Sequence, residues 1–227
     1  LPCHEKTVRA VASHSHHGPL SSGSLCVSCH MPSTATGSMR RTDHSMLPPT
    51  PASSAIHGSP NACITCHGDR GNEWADAWVR TRYRAGYQVP YLKRAELLAK
   101  ARRGDWSRLE ETLAYLRSPD RDEVFTASLI RLLGACPDTS KVKVLLTALH
   151  DGSPLVRSSA AAALGGVVTP EVTGELVKAA ADPLRIVRIR AASALLHHPR
   201  GELSGETTRT VDRATGEYLG SLMVQQD

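Results

Sequence analysis

The sequence predicts a mainly α-helical protein in two parts: a loop-rich segment with almost no core of its own, then an α-solenoid of stacked helix pairs. Two observations carry this reading. From Leu1 to Asn72 there is no Phe, Trp or Tyr, yet eight of the eleven histidines and five of the six cysteines lie there. From Asp120 onward the chain repeats every 31 residues, with Asp120, Asp151 and Asp182 in step. The change of composition at Asn72 sets the expected division: residues 1–72 as the loop-rich segment, 73–118 as linking helices packed against it, and 119–227 as the repeats.

A stretch rich in Ser, Pro, Thr and Gly buries too little apolar surface to offset its own ordering entropy. Something other than its side chains must supply a core. Two runs indicate what: Cys26-Val27-Ser28-Cys29-His30 and Cys63-Ile64-Thr65-Cys66-His67. Cys-x-x-Cys-His is the attachment signature of c-type haem. The two thiols add to the porphyrin vinyl groups as thioethers, and the adjacent imidazole becomes the proximal iron ligand. Cys26, Cys29, Cys63 and Cys66 are therefore the expected attachment residues, with His30 and His67 proximal. Two Cys-x-x-Cys pairs also suit a four-thiolate zinc site, or disulfides. Neither alternative explains a histidine directly after each pair.

Taken in order, Leu1-Pro2-Cys3-His4 reads as the end of a third motif, with Cys3 a thioether residue and His4 proximal; the alternative is a lone cysteine beside a surface histidine. His14, His16 and His17 form a cluster shortly before Cys26. Such clusters are commonly solvated, but nearby irons need sixth ligands and neutral imidazole supplies them. His44 is a further distal candidate, and His57, six residues before Cys63, another. Met31, Met39 and Met46 are alternative ligands. Arg40 and Arg41 are possible propionate contacts or simply a solvated pair. The stretch from Met31 to Met46 shows neither helical nor strand periodicity and is expected to be irregular loop, and Pro48, Pro49 and Pro51 an extended connector.

The runs His14-Ser15-His16-His17, Gly23-Ser24-Leu25-Cys26-Val27-Ser28-Cys29-His30-Met31-Pro32, Arg41-Thr42-Asp43-His44 and Pro60-Asn61-Ala62-Cys63-Ile64-Thr65-Cys66-His67 resemble a family of bacterial multihaem c-type cytochromes. In that family HEAT or tetratricopeptide-type helical repeats follow the haems, and a tryptophan-bearing helix follows the last motif; here Trp74 or Trp78 would occupy it. The resemblance implies His16 or His17 and His44 as distal ligands, and it implies that Cys3-His4 closes a haem motif. It also implies further motifs upstream and further repeats downstream, so the chain reads as a piece of a longer member.

Asn72 is placed to cap a helix from Glu73 that carries Trp74 and Trp78, which are expected to pack between the haem segment and the repeats. A second helix is expected from about Pro90 to Arg103, stopped by Gly104, and a third behind Asp105 with a Leu109, Leu113, Leu116 stripe. In the repeats, Phe125, Val156 and Val187 fall in step, as do Leu133, Leu164 and Leu195, then Arg157 and Arg188, then Ala160-Ala161 and Ala191-Ala192. Each unit reads as two helices broken by Pro119, Pro137, Pro154, Pro170 and Pro183, and stacking buries faces that one pair cannot bury alone. An Asp-x-x-x-x-Val-Arg opening before an alanine-rich helix resembles HEAT repeats. Cys136 is expected as a buried thiol, His150, His197 and His198 as surface or loop residues, and a last helix spans about Gly205 to Val224.

The formal charge of +5 and pI near 9.0 suit acidic redox partners or haem propionates. No basic stripe with interleaved aromatics points to nucleic acid, and no apolar run approaches a membrane span. Haem attached through thioethers after export implies a periplasmic or extracellular protein. An iron held by two imidazoles has no open position, so the first expectation is one-electron transfer, with the repeats as a docking surface for redox partners or neighbouring cytochrome subunits. The alternatives are an enzyme with one open iron acting on a nitrogen or sulfur oxyanion, and an assembly scaffold in which haem is structural.

Overall fold

The computed structural model describes residues 4–199 and 205–223. Cys3, expected as a thioether residue, lies outside them. Contacts divide the chain into two compact units, Leu1–Ala95 and Glu96–Asp227.

The first unit is built from short pieces. Helices α1 (Glu5–Arg9) and α2 (Val11–Ser15) are followed by a 3-10 turn at Ser22–Ser24 and by α3 (Cys26–His30). Strands β1 (Ser33–Thr36) and β2 (Met39–Thr42) pair antiparallel with Ser33 opposite Thr42 and Ala35 opposite Arg40. This hairpin replaces the irregular loop expected from the sequence. Gly37 at φ 60° opens its two-residue turn, a conformation that suits the twist of paired strands. All of β2 is exposed, so no apolar alternation marked it. Helix α4 (Pro51–His57) corrects the expected extended connector, because Pro51 is its first residue, where the missing N–H costs nothing. Helix α5 (Asn72–Arg82) is capped by Gly71 rather than Asn72, whose side chain instead accepts from Asn61 Nδ2 at 2.9 Å. Buried Gln88 ties α4 to α5: Ala52 N–H donates to Oε1 at 3.1 Å, and Nε2 donates to Asp76 Oδ1 at 2.7 Å.

The second unit begins within α6 (Val89–Arg102) and continues through α7 (Leu109–Arg117), α8 (Glu123–Leu133), α9 (Lys141–Ala148), α10 (Pro154–Leu164), α11 (Pro170–Ala179), α12 (Arg185–Leu195) and α13 (Gly205–Met223). Asp105 does not cap α7; its carboxylate accepts from Ser107 N–H and from Lys100 Nζ. Asp122 does cap α8, accepting from the N–H groups of Val124 and Phe125. Pro154 and Pro170 each open a helix, as the repeat reading requires. Helix α10 packs against both α8 and α12, and α13 against α12, so successive units stack. The core is continuous, from Leu113 through Leu133, Leu145, Leu164, Leu176 and Leu195 to Val211. Cys136 is buried as expected; His198 lies in the loop after α12, where it is buried and its Nδ1 pairs with the Thr173 hydroxyl at 2.7 Å.

Close packing of the stack rests on small residues in step. Ala160, Ala161, Ala191 and Ala192 are fully buried. A Cβ on Gly134 would sit 3.5 Å from Ala163 Cα, and one on Gly165 3.2 Å from Ala194 Cα. Gly134 and Gly165, themselves one period apart, thus each face an alanine of the following unit.

Candidate haem-binding site

The first motif lies on α3, which puts Cys26, Cys29 and His30 on adjoining turns so that both thiols share a face. The loop before it is fixed by Ser24, whose buried hydroxyl donates to Pro19 O at 3.0 Å and Ser21 O at 2.7 Å. His30 Nδ1 lies 3.2 Å from Leu47 O. A carbonyl only accepts, so Nδ1 holds the proton and Nε2 is left with a free lone pair. The second motif is set by buried Asn61, whose Oδ1 accepts from Cys63 N–H at 3.0 Å, and by a backbone bond from His67 N to Cys63 O at 3.0 Å.

Opposite the histidine of each Cys-x-x-Cys-His motif stands another imidazole. His14 and His30 have ring centroids 6.3 Å apart with planes 11° from parallel, and His17 and His67 are 6.2 Å apart at 37°. Metal–nitrogen bonds of about 2 Å on each side of an iron, plus the nitrogen-to-centroid distance in each ring, require about 6 Å between centroids. His17 Nδ1 donates to Ser15 O at 2.7 Å, again leaving Nε2 free. Tyr83 donates to His14 O at 2.8 Å and Tyr87 to Pro49 O at 2.7 Å. Burial, then neighbouring thiol and phenol charge, pushes both phenols upward, so they remain donors.

The other proposed ligands lie elsewhere. The His16 ring packs edge-on against Trp78 and Tyr83, with centroids 5.5 and 5.3 Å away. His44 is exposed, its Nδ1 donating to Thr42 O at 2.8 Å. His57 ends α4 half-buried, and His4 is exposed ahead of α1. Arg40 and Arg41 project from exposed β2. Trp74 lies 5.1 Å from His67, while Trp78 lies 6.4 Å from His17 and 6.2 Å from Tyr83, so both tryptophans border the imidazoles. Tyr83 and Gln88 carry no motif that would single them out in the sequence, because their roles are hydrogen bonds made across long stretches of chain, whereas Asn61 stands inside the Pro60-Asn61-Ala62-Cys63 run.

The described residues fit haem better than zinc. Cys26, Cys29, Cys63 and Cys66 form no disulfide with one another, and no three His, Cys, Asp or Glu side chains among the described residues converge to hold a metal ion. Burial, then the nearby Cys66 and Cys26, pushes the Cys29 thiol up; burial and then Cys29 do the same to Cys63. Large apolar groups around the motifs also lie bare: Leu20, Leu25, Val27 and Ile56 are all exposed. Ala52, Ala75 and Val79 are the buried apolar side chains that the described part of this unit offers as a core. A flat apolar macrocycle held at the motifs would supply the missing surface.

The model of the family described as cytochrome c552 matches residues 11–102, and that described as HEAT repeats matches residues 109–196. Comparison with curated proteins and with solved structures returned no match. Among the described residues no helix is long and apolar enough to cross a membrane. With its paired cysteines, its free imidazole nitrogens and its unfilled apolar surface, the first unit agrees with the family match, and the chain is a haem c protein that joins a cytochrome c552 domain to HEAT repeats.

Proposed function

We propose that the chain is a multihaem electron carrier in which each of two haems is held between two imidazoles. One would be attached through Cys26 and Cys29 with His30 proximal and His14 distal, the other through Cys63 and Cys66 with His67 proximal and His17 distal. The observation that carries this is the pair of ring separations, 6.3 and 6.2 Å, each the span of one six-coordinate iron. Haem supplies a one-electron ferric–ferrous couple. The protein's part is to fill both axial positions and exclude exogenous ligands. It also sets the tautomers through Leu47 O and Ser15 O.

Two further features support transfer between the sites. Thiols of the two motifs lie within electrostatic reach of each other, and the rings His14, Tyr83, Trp78 and His17 form a continuous series at 6.2 to 6.4 Å. His44 carries the same Nδ1-protonated tautomer and is assigned to a further haem, for which Cys3-His4 is the proposed attachment. Arg40 and Arg41 are proposed to face propionates, and the repeats to dock a redox partner or neighbouring cytochrome subunit. Thioether attachment follows export, which supports a periplasmic or extracellular location.

A reduced-minus-oxidised visible spectrum with intact mass tests this reading. Sharp low-spin bands, no change with carbon monoxide and the mass of at least two haems are expected. Bands that shift with carbon monoxide in the native protein would replace the carrier by an enzyme with an open iron.

A further inference from the structure

The geometry points to Gly23 as the residue that holds His17 in its ligating position, so that any side chain there opens the iron opposite His67. This rests on the proposed His17–His67 pairing and extends it to a residue with no donor atom of its own. A Cβ on Gly23 would lie 2.3 Å from His17 Cδ2, 2.5 Å from Cγ and 2.8 Å from Nε2. All three separations are far inside van der Waals contact.

Neither partner has room to yield. The atoms struck include Cγ, at the base of the ring, so the imidazole cannot swing only its tip away. Its Nδ1 is tied to Ser15 O at 2.7 Å, and the backbone N–H of His17 donates to Ser15 Oγ at 3.2 Å. On the other side, Gly23 sits in the Ser22–Ser24 turn, which Ser24 Oγ anchors to Pro19 O and Ser21 O. Glycine is needed for space and not for an unusual backbone, since Gly23 does not adopt positive φ. The backbone face of Gly23 therefore acts as a flat stop for the ring. The stop also lies close to Nε2, the nitrogen that would face iron.

The test compares Gly23→Ala, His17→Ala, the double variant and Gly18→Ala, all as haem-loaded full chains, by carbon monoxide titration of the reduced protein and by thermal melting. A Cβ on Gly18 would meet nothing within 4 Å, so Gly18→Ala should match the native protein. Gly23→Ala should bind one carbon monoxide per chain, as should His17→Ala, and the double variant should bind no more and melt no lower than His17→Ala. A purely structural glycine would destabilise both backgrounds alike, and that additivity overturns the inference. So does a Gly23→Ala protein that binds no carbon monoxide while His17→Ala does. If His17→Ala itself leaves every iron closed, the pairing is what fails. Should Gly23→Ala not fold, the double variant decides: folding like His17→Ala supports the clash, and failing with it overturns the idea.

Discussion

Lys141 is 6% exposed, yet its ammonium donates to Leu133 O at 2.8 Å, to Gly134 O at 3.2 Å and to Cys136 O. Leu133 O and Gly134 O close α8 and Cys136 O follows it, in the turn where Cys136 N–H also donates to Leu133 O at 3.0 Å. A buried cation at a helix C-terminus satisfies them and complements the helix dipole. Lys141→Met keeps the aliphatic stem but leaves the carbonyls without that donor, and it should cost about 2–4 kcal/mol of stability. Urea unfolding of the two proteins checks this; an unchanged midpoint would show that water replaces the ammonium. At the haem motifs, single residues were legible to different depths. The proposed attachment cysteines and proximal histidines follow from the Cys-x-x-Cys-His spacing and can be read directly. Which of His14, His16 and His17 faces a proximal ring depends on α2 ending at His16 with φ 57°, a backbone reversal that turns neighbouring imidazoles in different directions. No spacing rule encodes that: the resemblance favours His16 or His17, whereas the rings that stand opposite His30 and His67 are those of His14 and His17.

Among the elements, the repeats are joined by a ladder in register. Arg121 pairs with Asp151, Arg157 with Asp182 at 2.8 Å, and Arg188 with Glu217 at 2.9 Å. Each later arginine also donates backward, Arg157 Nη1 to Asp151 O and Arg188 Nη1 to Asp182 O. Asp151 and Asp182, like Arg157 and Arg188, stand 31 residues apart because the backward bond to the Asp carbonyl recurs in both units, whereas Arg121 and Glu217 do not follow that spacing. The β1–β2 hairpin and α4 were not legible in the sequence, since an exposed ladder needs no apolar alternation and Pro51 at a helix start resembles a proline linker. The ladder has a pH signature. Burial alone would raise Asp182, but the Arg157 hydrogen bond, Leu184 N–H and the charges of Arg157 and Arg188 hold it below the usual carboxylate range. Its folded pKa is thus depressed, so its stabilisation is present above the unfolded value near 3.8 and is lost as pH falls through the lower folded value. Asp182→Asn should cost about 2 kcal/mol at neutral pH, and the gap from the native protein should close as the pH falls below the usual carboxylate range. Melting curves from neutral to acid pH test this, and a constant gap would remove the charge from the explanation.

At the scale of the molecule, the two units draw stability from different sources. In Glu96–Asp227, Leu129, Ile130, Leu133, Leu145, Leu164, Leu176 and Val187 are completely enclosed, enough apolar burial for a helical stack to hold itself together. In Leu1–Ala95 the buried apolar side chains are small, while Leu20, Leu25, Val27 and Ile56 face outward. Composition shifts at Asn72, but contacts keep α5 with the first unit, because its packing on α4 and the Gln88 bridge are invisible to residue counts. Helices of five to seven residues such as α1, α2 and α3 do not persist alone. The first unit should therefore need its haems to fold, and the second should not. A full chain with Cys26, Cys29, Cys63 and Cys66 all replaced by serine, compared with the haem-loaded protein by hydrogen exchange, separates the two. Amides of α8, α10 and α12 should keep their protection, while those of α3, α4 and α5 should exchange close to the unfolded rate. Equal protection of α4 and α5 in the haem-free chain would mean that Gln88, Asp76 and the apolar contacts of Ala75 and Val79 suffice, and that haem is cargo rather than core.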